Sequence, residues 1–213
     1  MKKNLTSALL LLLCLCGIHL SGQAQAIPYD SLRVVLEKIH DTDQGIRLKG
    51  DTVKEENMNA FFAEMQAVDS VNQLQVQAIL GRYGWLPKSK VGEKAANGLF
   101  YVVQHSPTRV IAQYLPELQK MAAKGETDKT LAAMMEDRLL MFQNKKQIYG
   151  SQATSMLRKD GSYAIWPIED PRNVNKRRKA AGFTSTVEEN AKRLKAAYDP
   201  AEKIPANQRL PFH

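Results

Sequence analysis

Cysteine is scarce. The chain has two, Cys14 and Cys16, and both fall in the N-terminal segment. Lys2 and Lys3 open that segment, an apolar run from Ala8 to Leu15 follows, and small and polar residues end in Ala24-Gln25-Ala26. Basic, apolar and small-x-small segments in this order read as a secretory signal peptide over residues 1–26. The chain left after its removal has no thiol, which excludes disulfides, a cysteine nucleophile and thiolate metal ligands. Packing alone must then hold the fold in a periplasmic or extracellular space. The apolar run is also far short of the ~20 residues that span a bilayer, so no transmembrane helix is expected beyond the leader.

Histidine is nearly as scarce. Beyond the leader only His40, His105 and His213 occur, too few for a multi-histidine metal site. The H-E-x-x-H, G-x-S-x-G and S-x-x-K motifs are missing, as is a glycine-rich phosphate loop. No metal and no cofactor is therefore expected. The methionines Met134, Met135 and Met141 recur at helical spacing and read as core filling. The net charge of +8 reads as solubility or a preference for anions. Nucleic acid is not an expected partner of an exported chain.

What is present is helical periodicity. Helices are expected over about 31–47, 54–83, 91–104, 107–124 and 127–142, with a short last helix beginning at Ser185 or Thr186. In the second region Asp69-Ser70-Val71-Asn72 is expected to break the helix, with Asn72 capping its second half. Pro116 should kink or split the fourth. The third is apolar on most sides, which places it at the centre of a bundle. A β-hairpin turning at Asp160-Gly161 follows a polar strand, Gln147 to Gln152. The basic run EDPRNVNKRRK reads mostly as a solvated surface, with Arg177 or Arg178 free to turn inward. The fold class is therefore α+β: a mostly helical single domain with one β-hairpin packed on the bundle. The domain is expected over residues 27–198, and 199–213 form an extended tail.

Several polar residues break the apolar patterns. Asp43 falls on the apolar stripe of the first helix, four residues after Ile39, with Arg47 spaced for an i,i+4 pair. Glu93, Asn97, Tyr101, Gln104 and His105 make one polar stripe on the central helix. His105 sits at its C-terminal end, where the helix dipole favours the protonated ring. Asp137 and Arg138 follow one another on a methionine-rich helix, and Arg138 shares a stripe with Leu131, Met134, Met141 and Phe142. A charge in such a place is expensive unless it is paired and hydrogen-bonded.

These elements together resemble a family of bacterial proteins catalogued only as a domain of unknown function. The resemblance rests on Asp43-Gln44-Gly45-Ile46-Arg47, Gly84-Trp85, Gln104-His105, Asp137-Arg138, the Q-x-Y-G-[ST]-Q element Gln147 to Gln152, and Arg177-Arg178. It spans about Asp30 to Phe183 and implies a shared fold and a shared polar centre, with no assigned reaction. Two readings of that centre stay open. In the first, His105 is an acid/base oriented by Asp137, Arg47 and Arg138 clamp an anionic group, and Tyr149, Gln147 and Gln152 hydrogen-bond the substrate. Asp43, Gln104 and Arg178 complete the site, and the substrate is a polar envelope metabolite or glycopeptide. In the second, the same groups form a closed packing network or a silent pocket for a small polar or anionic ligand.

Overall fold

The computed structural model describes residues 26–50, 52–154 and 163–205. Residues 1–25, position 51, residues 155–162 with the expected hairpin turn at Asp160-Gly161, and the last eight positions lie outside the described residues. Among the described residues there are eight helices: α1 (Tyr29–Gly50), α2 (Met58–Tyr83), α3 (Lys88–Val91), α4 (Glu93–Gln104), α5 (Thr108–Ala123), α6 (Lys129–Phe142), α7 (Val174–Ala180) and α8 (Val187–Arg193). The sheet is small: β1 (Tyr163–Ala164) pairs in parallel with β2 (Ala196–Ala197). The protein is a mostly helical single domain with this small sheet at one side.

Helix α4 is the axis of the bundle and contacts α1, α2, α3, α5 and α6. Ala95, Ala96, Leu99, Phe100, Val102 and Val103 are all buried, as its nearly all-round apolar sequence requires. Its closest neighbour is α1. A methyl group added to Gly98 would stand 2.6 Å from the Leu36 carbonyl oxygen, so this residue sets how near the two backbones run.

The second helical region does not break. Asp69 and Asn72 lie inside one continuous helix and turn their oxygens to α1: Asp69 pairs with Arg47, and Asn72 Oδ1 accepts from the Thr42 hydroxyl at 3.2 Å. Groups bonded sideways in this way no longer compete for the backbone. Pro116 likewise sits within an unbroken α5. The basic run forms a helix of its own, α7, of which Arg178 is 1% exposed. At the start of α8, Thr186 and Glu189 form the capping box expected there. The extended end of the chain is laid on the body as far as Ile204, which packs against the main core.

The stretch Gln147 to Gln152 is a loop and not the expected strand. Gln147 makes a parallel bridge to Ile168, and the flanks of the expected hairpin meet through one antiparallel bridge, Ala153 with Ile165. Between these bridges the backbone turns through Gly150, whose φ of 68° suits glycine, and a methyl group there would press on Val187 and Ile168.

Replacing Gly98 with valine should force α1 and α4 apart and lower stability by about 1–3 kcal/mol. A denaturant melt showing no loss would mean that the helix crossing tolerates a branched side chain.

Candidate functional site

The expected polar centre separates into two parts. The first is closed and is built on Asp137, a fully buried carboxylate on α6. Its Oδ1 accepts the backbone N–H of Ile148 at 2.7 Å and of Tyr149 at 3.0 Å, and its Oδ2 accepts that of Ser151 at 2.9 Å. The carbonyls of the same loop are bonded from the other side. Arg177 Nε donates to Ile148 O at 3.0 Å, Arg178 to Tyr149 O at 2.9 Å and Asn190 to Gly150 O at 2.9 Å. Gln147 finishes the loop by donating to Gln152 O and Trp166 O and accepting the Gln152 N–H. The loop has no sheet partner for most of its backbone groups, so side chains supply those bonds. Burial raises the Asp137 carboxyl above its ordinary value, and the Ser151, Tyr149 and Ile148 amides pull against that rise.

This arrangement corrects four expected roles. Asp137 does not orient His105, because both its oxygens are committed to the loop. Gln147 is fully buried and bonded to the loop itself. Tyr149 turns its ring away, against Phe183 with centroids 6.0 Å apart, and lines a separate hollow beside Glu136 and Ala181. Arg178 turns inward, but it binds Ser185 O and the Ser185 hydroxyl as well as Tyr149 O, and it lies over the Phe183 ring.

The second part is open. A cavity of about 380 Å³ is lined by Phe100, Tyr101, Gln104 and His105 of α4, by Met134, Arg138, Met141 and Phe142 of α6, and by Ser151 and Gln152 of the loop, with Arg193 among its outer residues. The carboxylate beside His105 is Asp43, 1% exposed, with Oδ1 at 3.1 Å from the ring Nδ1. Arg47 holds Asp43 from behind at 3.1 Å and pairs with Asp69 at 2.9 Å, and Gln44 donates to Asp43 Oδ2 at 2.7 Å. Arg47 is thus occupied by two carboxylates and does not line the cavity, contrary to its expected role as a clamp.

Burial acts to raise the Asp43 carboxyl, but the hydrogen bond and charge of His105, the charge of Arg47 and the Gln44 amide hold it below its ordinary value. An ionised carboxylate can only accept, so the neutral His105 ring carries its proton on Nδ1. Its Nε2 is left without a partner among the described residues, on a ring that lines the cavity. Burial lowers the His105 pKa from its ordinary value, Asp43 opposes this, and the charges of Arg47 and Arg138 reinforce it. The protonated ring expected from the helix dipole is thereby reversed. Tyr101 stacks beside the ring at 6.3 Å between centroids.

Arg138 stands apart from every other inward-facing charge. Its Nε is buried with no hydrogen-bond partner, its guanidinium has no carboxylate within reach among the described residues, and it rests 5.7 Å from the Phe142 ring centroid. Burial, with the charge of Arg47, pushes its pKa down to about 10. Gln104 is 3% exposed and donates to Met134 O at 3.4 Å, while its Oε1 is buried and unbonded. The His105 ring, a cation without a counter-ion and the side chain with an unfilled acceptor therefore line one space.

Residues 30–203 match the profile of a family of unknown function (DUF6624). The chain belongs to that family. No curated protein and no solved structure matches it. In this DUF6624 member the resemblance read from the sequence and the profile match cover nearly the same span. Asp69 and Arg193 carry no sequence signal for the site: Asp69 falls where a helix break is expected, and Arg193 lies in the last turn of α8. Among the described residues no group of three or more His, Cys, Asp or Glu gathers as a metal site would need, and no helix is long and apolar enough to cross a membrane.

Asp137→Asn should unfasten the loop and cost on the order of 3 kcal/mol, because an amide nitrogen would face backbone donors. Arg138→Met should leave the melting temperature unchanged or raise it, since it removes a half-buried cation that has no counter-ion among the described residues. Two thermal melts compare them, and a large loss in Arg138→Met would show that its charge is paired after all.

The folded pKa of His105 lies below its ordinary 6.5, so as pH falls the unfolded chain binds this proton first. Stability should therefore decline below that pH, and between about pH 7 and pH 5 wild type should lose more than His105→Gln. Parallel melts across this window that coincide would contradict the assignment.

Proposed function

We propose that the cavity is a general acid–base centre for a small polar, anionic molecule. The observation that carries this reading is the Asp43–His105 pair, with Nδ1 tied to a buried carboxylate and Nε2 left without a partner. His105, neutral near pH 7, takes a proton from the bound molecule or from a water through Nε2. Asp43 stabilises the imidazolium that forms, and the same ring returns the proton to a leaving or rearranged group. The cations beside the ring favour the neutral base. An anion bound at Arg138 offsets part of that positive charge, so substrate binding raises the basicity of His105 as the complex forms.

The closed loop around Asp137 supports a structural role for Asp137, Gln147 and Arg178: they shape one wall of the cavity. The leader at residues 1–26 supports action outside the cytoplasm, on a polar metabolite or glycopeptide of the cell envelope. A silent binding pocket is the competing reading. It is favoured by the Ser151 hydroxyl, which accepts from Gln152 and is not bonded to His105, so His105 has no nucleophilic partner in hand.

Incubating the protein with pooled anionic metabolites from envelope extracts, followed by mass spectrometry, tests the proposal. Wild type should consume at least one component, and His105→Gln, melting normally, should slow that reaction by about 100-fold or more. Equal consumption by the two proteins, or none by wild type, would overturn it.

A further inference from the structure

The two amides in the cavity are oriented by one shared acceptor. Gln104 Nε2 and Gln152 Nε2 each donate to Met134 O at 3.4 Å, and Gln152 Nε2 also donates to the Ser151 hydroxyl at 3.0 Å. Turning either amide over would set its carbonyl oxygen against another oxygen, so the nitrogens must face Met134 and the oxygens must not. Gln104 Oε1 is consequently an acceptor with nothing to accept, buried at the cavity wall. Leaving such a group unfilled is costly, and the buried Nε of the half-buried Arg138 is in the same condition. Met134 and Arg138 are four residues apart on α6, with Cβ atoms about 5–6 Å apart on one face. Gln104, whose amide reaches the Met134 carbonyl, and Arg138, one turn further along α6, therefore line the same cavity.

We infer that the cavity binds a small molecule that presents an oxyanion to Arg138 and, a few atoms away, an N–H or O–H donor to Gln104 Oε1. A simple anion would meet the partial negative charge of the amide oxygen, and a simple donor or cation would meet Arg138. A molecule carrying both groups satisfies each wall, with Gln152 as a second amide beside them. N-acylated amino acids and the C-terminal residues of short peptides have this form, as do their phosphonate counterparts. At about 380 Å³ the space lies in the range of small-molecule pockets, ~300–1,000 Å³. The inference rests on the cavity being the ligand site, as in the acid–base reading, but it does not require turnover.

Four probes resolve the two contacts by NMR titration of the purified protein: N-acetylglycine, its methyl ester, O-acetylglycolate, and N-acetylaminomethylphosphonate. The ester lacks the anion, the glycolate lacks the N–H, and the phosphonate separates a phosphorus oxyanion from a carboxylate. N-acetylglycine or its phosphonate analogue should bind roughly tenfold or more tightly than either singly deficient probe. Arg138→Met should erase the preference over the ester and keep that over the glycolate, and Gln104→Met should do the reverse.

Affinities for all four within about twofold of one another, or no binding by any, would overturn the inference. Should a variant fail to fold, the wild-type series decides alone. Selective binding without His105-dependent turnover would sink the acid–base reading and leave this one standing. Turnover with flat probe affinities would do the opposite.

Discussion

One buried carboxylate holding three amides of one loop is the interaction on which the rest depends. Asp137 supplies the bonds that a strand would have given to Ile148, Tyr149 and Ser151. Without it the loop has no reason to follow its path between α6 and the C-terminal helices. That path delivers Ser151 and Gln152 to the cavity and Gly150 to the cleft against Val187. The positive charges of Arg177 and Arg178 answer from the opposite side, bonding the carbonyls. A buried ion of this kind adds little net stability, but it penalises any alternative path by leaving charge unsatisfied.

The neighbouring cavity follows the opposite rule. Asp43 and Asp69 share Arg47, and His105 stays neutral beside them. Arg138 and Gln104 Oε1 are left incomplete. The fold thus keeps two kinds of polar interior within a few residues: one in which the loop's donors and acceptors meet, and one that keeps both a donor and an acceptor in reserve. Such a contrast is what separates a packing network from a pocket.

Much of this was legible in the letters. Asp43 on an apolar stripe, Arg138 among methionines and the polar stripe ending in Gln104-His105 each announced a group that a core would exclude. The central position of α4 followed from its near-continuous apolar surface. What periodicity could not supply was pairing. Asp43 and Asp137 are both acidic residues in helices rich in apolar side chains, and only tertiary structure assigns the first to His105 and the second to a loop. Gln147 to Gln152 looked like a strand because alternation is blind to backbone bonds made by side chains. Asp69 and Asn72 looked like helix breakers because their partners, Arg47 and Thr42, lie on another helix.

The Asp137-Arg138 dipeptide has a geometric consequence. Successive residues on an α-helix point about 100° apart, so adjacent positions of α6 address two different environments, the loop on one side and the hollow on the other. Deleting or inserting a single amino acid just before the pair would swing both groups round the axis together, and neither surface would then receive its own partner. Drift in length is therefore barred in this segment even where drift in side-chain size is not.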